Sequence, residues 1–120
     1  MIKIGNDISN FSTYSCRPAN KKELEEIIGE RISKEGYNCD LNDIDTSLIT
    51  DMTGLFYDSE FNGDISEWNV SNVENMSRMF EDSKFNQDIS NWNIKQDCLT
   101  FNVFNGCSIK EKHKPKVLQR

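Results

Sequence analysis

The sequence predicts an α/β repeat: a short solenoid of about three 24-residue coils with an N-terminal capping helix. Three observations predict it. Ile49-Thr-Asp-Met52-Thr-Gly-Leu55-Phe56 stands 24 residues before Val73-Glu-Asn-Met76-Ser-Arg-Met79-Phe80. Phe61-Asn62-Gly-Asp64-Ile65-Ser66-Glu-Trp68-Asn69-Val70 stands before Phe85-Asn86-Gln-Asp88-Ile89-Ser90-Asn-Trp92-Asn93-Ile94 at the same offset. Self-similarity at a fixed period of about 20–50 residues is the mark of stacked repeats. Third, an amphipathic Glu-rich segment precedes the repeats, as a stack with an exposed apolar end requires. The chain divides into an N-terminal extension and capping helix (1–40), repeat units (41–64, 65–88 and 89–109) and a basic tail (110–120). Its 120 residues suit one domain in all.

The elements follow in chain order. A short strand is expected around Ile2–Ile4, and Pro18 holds Arg17 extended. Asn20 is placed to cap a helix, with Glu23 reaching back. Leu24, Ile27, Ile28 and Ile32 make its apolar stripe, Lys21, Glu25, Glu26 and Glu30 its wet side, and Gly36 its end. Within a unit, Ile65-x-x-Trp68-x-Val70 has the leucine-rich-repeat strand spacing, repeated by Ile89-x-x-Trp92-x-Ile94 and weakly by Leu41-x-x-Ile44-x-Thr46. Alternation then points Trp68 and Val70 inward and Glu67, Asn69 and Ser71 outward. Ser71-Asn-Val-Glu74 reads as a capping box, and Val73, Met76 and Phe80 as one face of a short helix. The offset sets Ile44, Trp68 and Trp92 in one column and Phe56, Phe80 and Phe104 in another. Phe101, Val103, Phe104 and Ile109 suit an irregular closing coil. Lys110 to Arg120 carries a net +4 and is expected to be a solvated, partly disordered tail.

Asn62-Gly-Asp-Ile-Ser-Glu-Trp-Asn-Val-Ser-Asn-Val73 and Met76-Ser-Arg-Met-Phe80 resemble the BspA-like repeat, known also from Mycoplasma lipoproteins and bacterial surface proteins. The resemblance covers about residues 20–109 and implies a leucine-rich-repeat-like solenoid used for binding, in proteins usually longer and exported. The chain departs from the usual wording at Asn69 and Asn93, where Asp is common, and at Ile94-Lys-Gln-Asp97, where Val-Ser-Asn-Val is usual.

Chemistry-bearing sets are sparse. Cys16, Cys39, Cys98 and Cys107 include no pair separated by two to four residues, and His113 stands alone among lysines, so no zinc site is expected. Asp40-x-Asn42 opens like a calcium loop, but Ile44 occupies the next ligand place. Asp64 and Asp88, equivalent across the repeat, read as turn caps rather than a catalytic pair. No phosphate loop or nucleophile–base set can be assembled, so neither an enzyme nor a cofactor is expected. The opening residues lack a basic-then-apolar secretory pattern, and four unpaired thiols fit a cytoplasmic chain.

Between Asp40 and Asp97, thirteen acids face only Arg78, Lys84 and Lys95, a net −10 inside a chain of −6. That balance disfavours nucleic acid and membrane as direct partners. It favours another protein, and a basic nucleic-acid-binding protein is one that fits. The expected function is a non-enzymatic protein-interaction module. Its surface would be the polar strand face of Asp43, Asp45, Ser47, Glu67, Asn69, Ser71, Asn91, Asn93 and Lys95. The alternatives are a phage or mobile-element inhibitor filling the basic groove of a host nuclease or defence complex, and a short fragment of a surface adhesin.

Overall fold

The structure, a computed structural model, describes residues 14–120. The strand expected around Ile2–Ile4 lies outside the described residues. Helix α1 runs Lys21–Glu35. Asn20 is its N-cap, its side chain accepting the Glu23 N–H at 3.0 Å. Glu23 reaches back one residue past the cap and accepts the Ala19 N–H at 2.9 Å. Leu24 and Ile28 are buried, with Ile27 and Ile32 half-buried beside them. Lys21, expected in water, instead donates Nζ to the Thr53 carbonyl at 2.9 Å and to its hydroxyl at 3.0 Å. Arg31 bonds both Asp43 carboxylate oxygens (3.0 and 2.9 Å) and the Asp40 carbonyl (3.0 Å), so α1 lies tied to the first repeat segment. Gly36 stops the helix at φ 92°, a backbone angle that disfavours any side chain. Asn20→Ala is expected to lose about 1 kcal/mol through the uncapped Glu23 amide. A urea transition with unchanged slope and a lower midpoint would register that loss.

Behind α1 the expected α/β solenoid of three coils does not form. Among the described residues α1 is the single α-helix, no sheet exists, and the extended pairing is limited to isolated parallel bridges Cys16–Ile44, Asp51–Asn75 and Asn75–Leu99. The reason is local. The Ile65-x-x-Trp68 spacing, read as a strand, closes as a tight turn: the Trp68 N–H donates to the Ile65 carbonyl at 3.1 Å. Ile44 N–H to Leu41 and Trp92 N–H to Ile89 repeat that bond at 3.1 and 3.0 Å. The short helix expected from Val73 to Phe80 is absent too. Arg78 sits at φ 61°, which breaks a right-handed helix. The alternate amides of that segment are committed to the next repeat instead of to their own turn.

Those amides build the architecture. Met52, Gly54, Phe56 and Asp58 donate N–H to the carbonyls of Asn75, Ser77, Met79 and Glu81 at 2.8–3.0 Å. One repeat later Met76, Arg78, Phe80 and Asp82 donate to Leu99, Phe101, Val103 and Asn105 at 2.8–2.9 Å. Turn-built segments therefore stack in the 24-residue register that the sequence carries. Positive-φ residues recur in the same register: Gly54, Arg78 and Asn102 at 61°, 61° and 54°, and Asp58, Asp82 and Gly106 at 54°, 57° and 73°. Inside, Phe56, Phe80 and Phe104 stack with centroids 5.5 and 5.6 Å apart, and Phe61 and Phe85 lie alongside. Trp68 and Trp92 are buried with each indole N–H bonded to a carbonyl of the preceding repeat, Leu41 at 2.9 Å and Ile65 at 3.0 Å. That bond removes the cost of a buried donor.

The tail departs from its expectation as well. Two 3-10 turns, Glu111–His113 and Lys116–Leu118, fold it against the last repeat. The Ile89 N–H donates to the His113 carbonyl at 2.9 Å, the Lys110 N–H donates to Asn86 Oδ1 at 2.8 Å, and Pro115 is buried. Lys114 pairs with Glu111 and sits over the Phe104 ring at 5.4 Å.

Candidate functional site

The nine polar residues expected on one face fall in three repeat-equivalent rows: Asp43, Glu67 and Asn91; Asp45, Asn69 and Asn93; Ser47, Ser71 and Lys95. Neighbouring rungs are tied by side chain–backbone bonds. The Glu67 N–H donates to Asn42 Oδ1 (2.9 Å), Thr46 Oγ1 donates to the Asn69 carbonyl (2.9 Å), and Asn72 Nδ2 donates to the Ser47 carbonyl (2.8 Å). The rows differ in availability. Glu67, Asn69, Asn91 and Asn93 are exposed, and the other five are half-buried. Asp43, expected to be open, is engaged by Ser15 and Arg31. Asp45 accepts the Ser47 N–H at 3.0 Å with Arg17 at 3.8 Å, and Lys95 lies 3.9 Å from Asp97. Asn69 accepts both the amide and the hydroxyl of Ser71.

Five other short acids and amides are turn caps. Asp40, Asp64 and Asp88, spaced at the 24-residue offset, each accept the N–H two residues on, at 2.8–2.9 Å. Asp51 and Asn75 do the same for Thr53 and Ser77. Asp40 thus caps Asn42 rather than opening a cation loop. The Ser66 amide and hydroxyl hold the Asp64 carboxyl below the usual carboxylate range, and the Ser90 hydroxyl and amide do so for Asp88. A carboxyl lowered by folding adds stability above its unfolded value and loses it as pH falls through the folded one. Stability should therefore be flat near neutrality and drop below about pH 4. Urea midpoints at pH 6 and pH 3 check this: Asp64→Asn with Asp88→Asn should show a smaller drop than the parent.

The four cysteines are free thiols, Cys39 buried and the others half-buried. Burial pushes the Cys39 and Cys98 thiols up, away from the reactive thiolate. Among the described residues, no group of three or more His, Cys, Asp or Glu is placed to hold a metal, and no helix is long and apolar enough to cross a membrane.

A second surface escaped the sequence reading. Tyr57, Leu99 and Phe101 are large, apolar and exposed, Phe101 at 68%. Arg78 lies over the Tyr57 ring at 4.9 Å and pairs with Glu81. Thr53, Gly54, Tyr57, Ser77 and Arg78 line an open cavity of about 330 Å³. A signal for it was present: Phe101 stands where the other repeats have Thr53 and Ser77, Leu99 where they have Asp51 and Asn75, and Tyr57 where they have Glu81 and Asn105. An apolar residue at a polar repeat position is not there to fill the core.

No curated protein and no solved structure matches the chain. One family model does match, over residues 22–114, from the second residue of α1 into the folded tail. Its description names Mycoplasma, in agreement with the broader part of the resemblance and without the BspA-like label. The chain belongs to this family, described as "Mycoplasma protein of unknown function, DUF285".

Proposed function

We propose that the protein is a non-enzymatic protein-interaction module that recognises a basic partner through the exposed members of its polar rows. The observation that carries this reading is the fixing of those rows to the stacked backbone by the bonds from Asn42, Thr46 and Asn72. A surface ordered before contact loses little entropy on binding. The net −10 of residues 40–97 steers a positively charged surface toward it, and a basic nucleic-acid-binding protein has that character. Asp43, tied to Arg31, serves the fold in this reading, and Glu67, Asn69, Asn91 and Asn93 make the contact.

The test starts with a pull-down from the native cell and measures the recovered partner. Glu67→Lys with Asn91→Lys touches no buried atom, so stability should shift by no more than about 0.5 kcal/mol per site. Affinity should fall at least tenfold, roughly 1.4 kcal/mol, and the parent's affinity should weaken steeply with salt. The exposed aromatic patch favours a second reading, an apolar-anchored partner. Loss of binding in Phe101→Ser, with salt-insensitive affinity and an unaffected double-lysine variant, would move the site there.

A further inference from the structure

We propose that the last repeat presents an open hydrogen-bonding edge that captures an acidic, repeat-shaped segment of another protein chain. This edge is separate from the polar rows. The ladder's two internal rungs define what it needs. In each, four alternate residues donate N–H to four alternate carbonyls of the following segment. The third member of the series is Thr100, Asn102, Phe104 and Gly106, and among the described residues none of these four amides has a partner. Their backbone repeats the donor shape, with Asn102 and Gly106 at positive φ like Arg78 and Asp82 before them.

The tail explains why the edge stays open. Through the His113 carbonyl it supplies an acceptor to Ile89, closing that side of the stack, and none of its carbonyls accepts an amide of residues 100–106. Between tail and edge lies a groove of about 540 Å³, lined by these four residues together with Lys114 and Arg120. An unpaired row of main-chain donors is a template for a chain that brings carbonyls. The turns of the row require a segment of the same shape. Charge selects further: Lys114 and Arg120 line the groove, and the tail carries a net +4 against the acidic body. The occupant that fits has carbonyls at alternate residues and carboxylates beside them. A second whole copy of this chain is a poorer fit, because Lys21 of α1 already occupies the Thr53 carbonyl on the opposite edge.

The probe is a synthetic, end-blocked peptide of residues 50–60, which carries the carbonyls of Asp51, Thr53, Leu55 and Tyr57 and a net charge of −3. Amide hydrogen exchange of the full chain is followed by NMR. In the free protein the amides of Thr100, Asn102, Phe104 and Gly106 should exchange at least tenfold faster than those of Met76, Arg78, Phe80 and Asp82. Saturating peptide should slow those four at least tenfold, a scrambled peptide should not, and Arg120→Glu should weaken the peptide at least tenfold. The proposal is overturned if the four amides are already protected at low protein concentration, or if raising concentration alone protects them. Protection elsewhere, no protection, or equal protection by the scrambled peptide also overturns it.

Discussion

Trp68→Ala is expected to destabilise the protein by about 3–5 kcal/mol, a large part of the roughly 5–15 kcal/mol that holds a domain together. The indole is 4% exposed and packs 6.0 Å from the Phe56 ring, in the middle of the stack. Its Nε1 donates to the Leu41 carbonyl, so truncation leaves a cavity and also removes one of the two hydrogen bonds that this carbonyl accepts, the other coming from the Ile44 N–H. Trp68→Phe fills most of the space and lacks only the donor, so it should cost roughly a third as much. Urea unfolding followed by the remaining tryptophan, Trp92, separates the two. Equal stability of parent and Trp68→Ala would contradict the packing described.

Gly63→Ala should be nearly as damaging, at roughly 3 kcal/mol, the upper end of what forced overpacking costs. The added methyl would run into the Cys39 carbonyl oxygen and lie 2.8 Å from Phe61 Cε1. A backbone carbonyl cannot swing aside as a side chain can. One repeat later Gln87 occupies this place and donates Nε2 to the Asn62 carbonyl at 3.1 Å, so the demand for glycine belongs to the first repeat alone. Gly29→Ala is the control. It lies exposed in α1 with nothing within 4 Å of the new methyl, and should stabilise by up to about 1 kcal/mol. Thermal melts of the two variants should move in opposite directions.

Register was the legible part of this fold. The 24-residue offset that pairs Phe56 with Phe80 in the sequence also sets which amide meets which carbonyl. Helix α1 could be read because its cap, stripe and terminal glycine are local signals. The interior of each unit was not legible, because two apolar residues three apart fit a strand, a helix or a closed turn. Trp68 bonding back to Ile65 decides for the turn, and the alternate donation of Met76, Arg78 and Phe80 decides against the helix. Charge composition could not show that the Lys110–Arg120 tail is held by Asn86 and Ile89, which are distant in sequence. At the candidate site, repeat equivalence puts the nine polar residues at three positions of the 24-residue unit. It could not show that Asp43 is spent on Arg31, since that depends on how α1 crosses the first segment. The exposure of Phe101 and Tyr57 was not legible, because both break the repeat whose regularity identifies the other surface positions.

The central claim is that alternate amides of each repeat donate across to the next, and it can be read directly from scalar couplings through hydrogen bonds in a doubly labelled sample. Couplings should join the Gly54, Phe56, Arg78 and Phe80 amide nitrogens to the Ser77, Met79, Phe101 and Val103 carbonyl carbons respectively. Couplings from Phe80 back to Met76, as in a helix, or from these amides to carbonyls in any other register, would contradict the account.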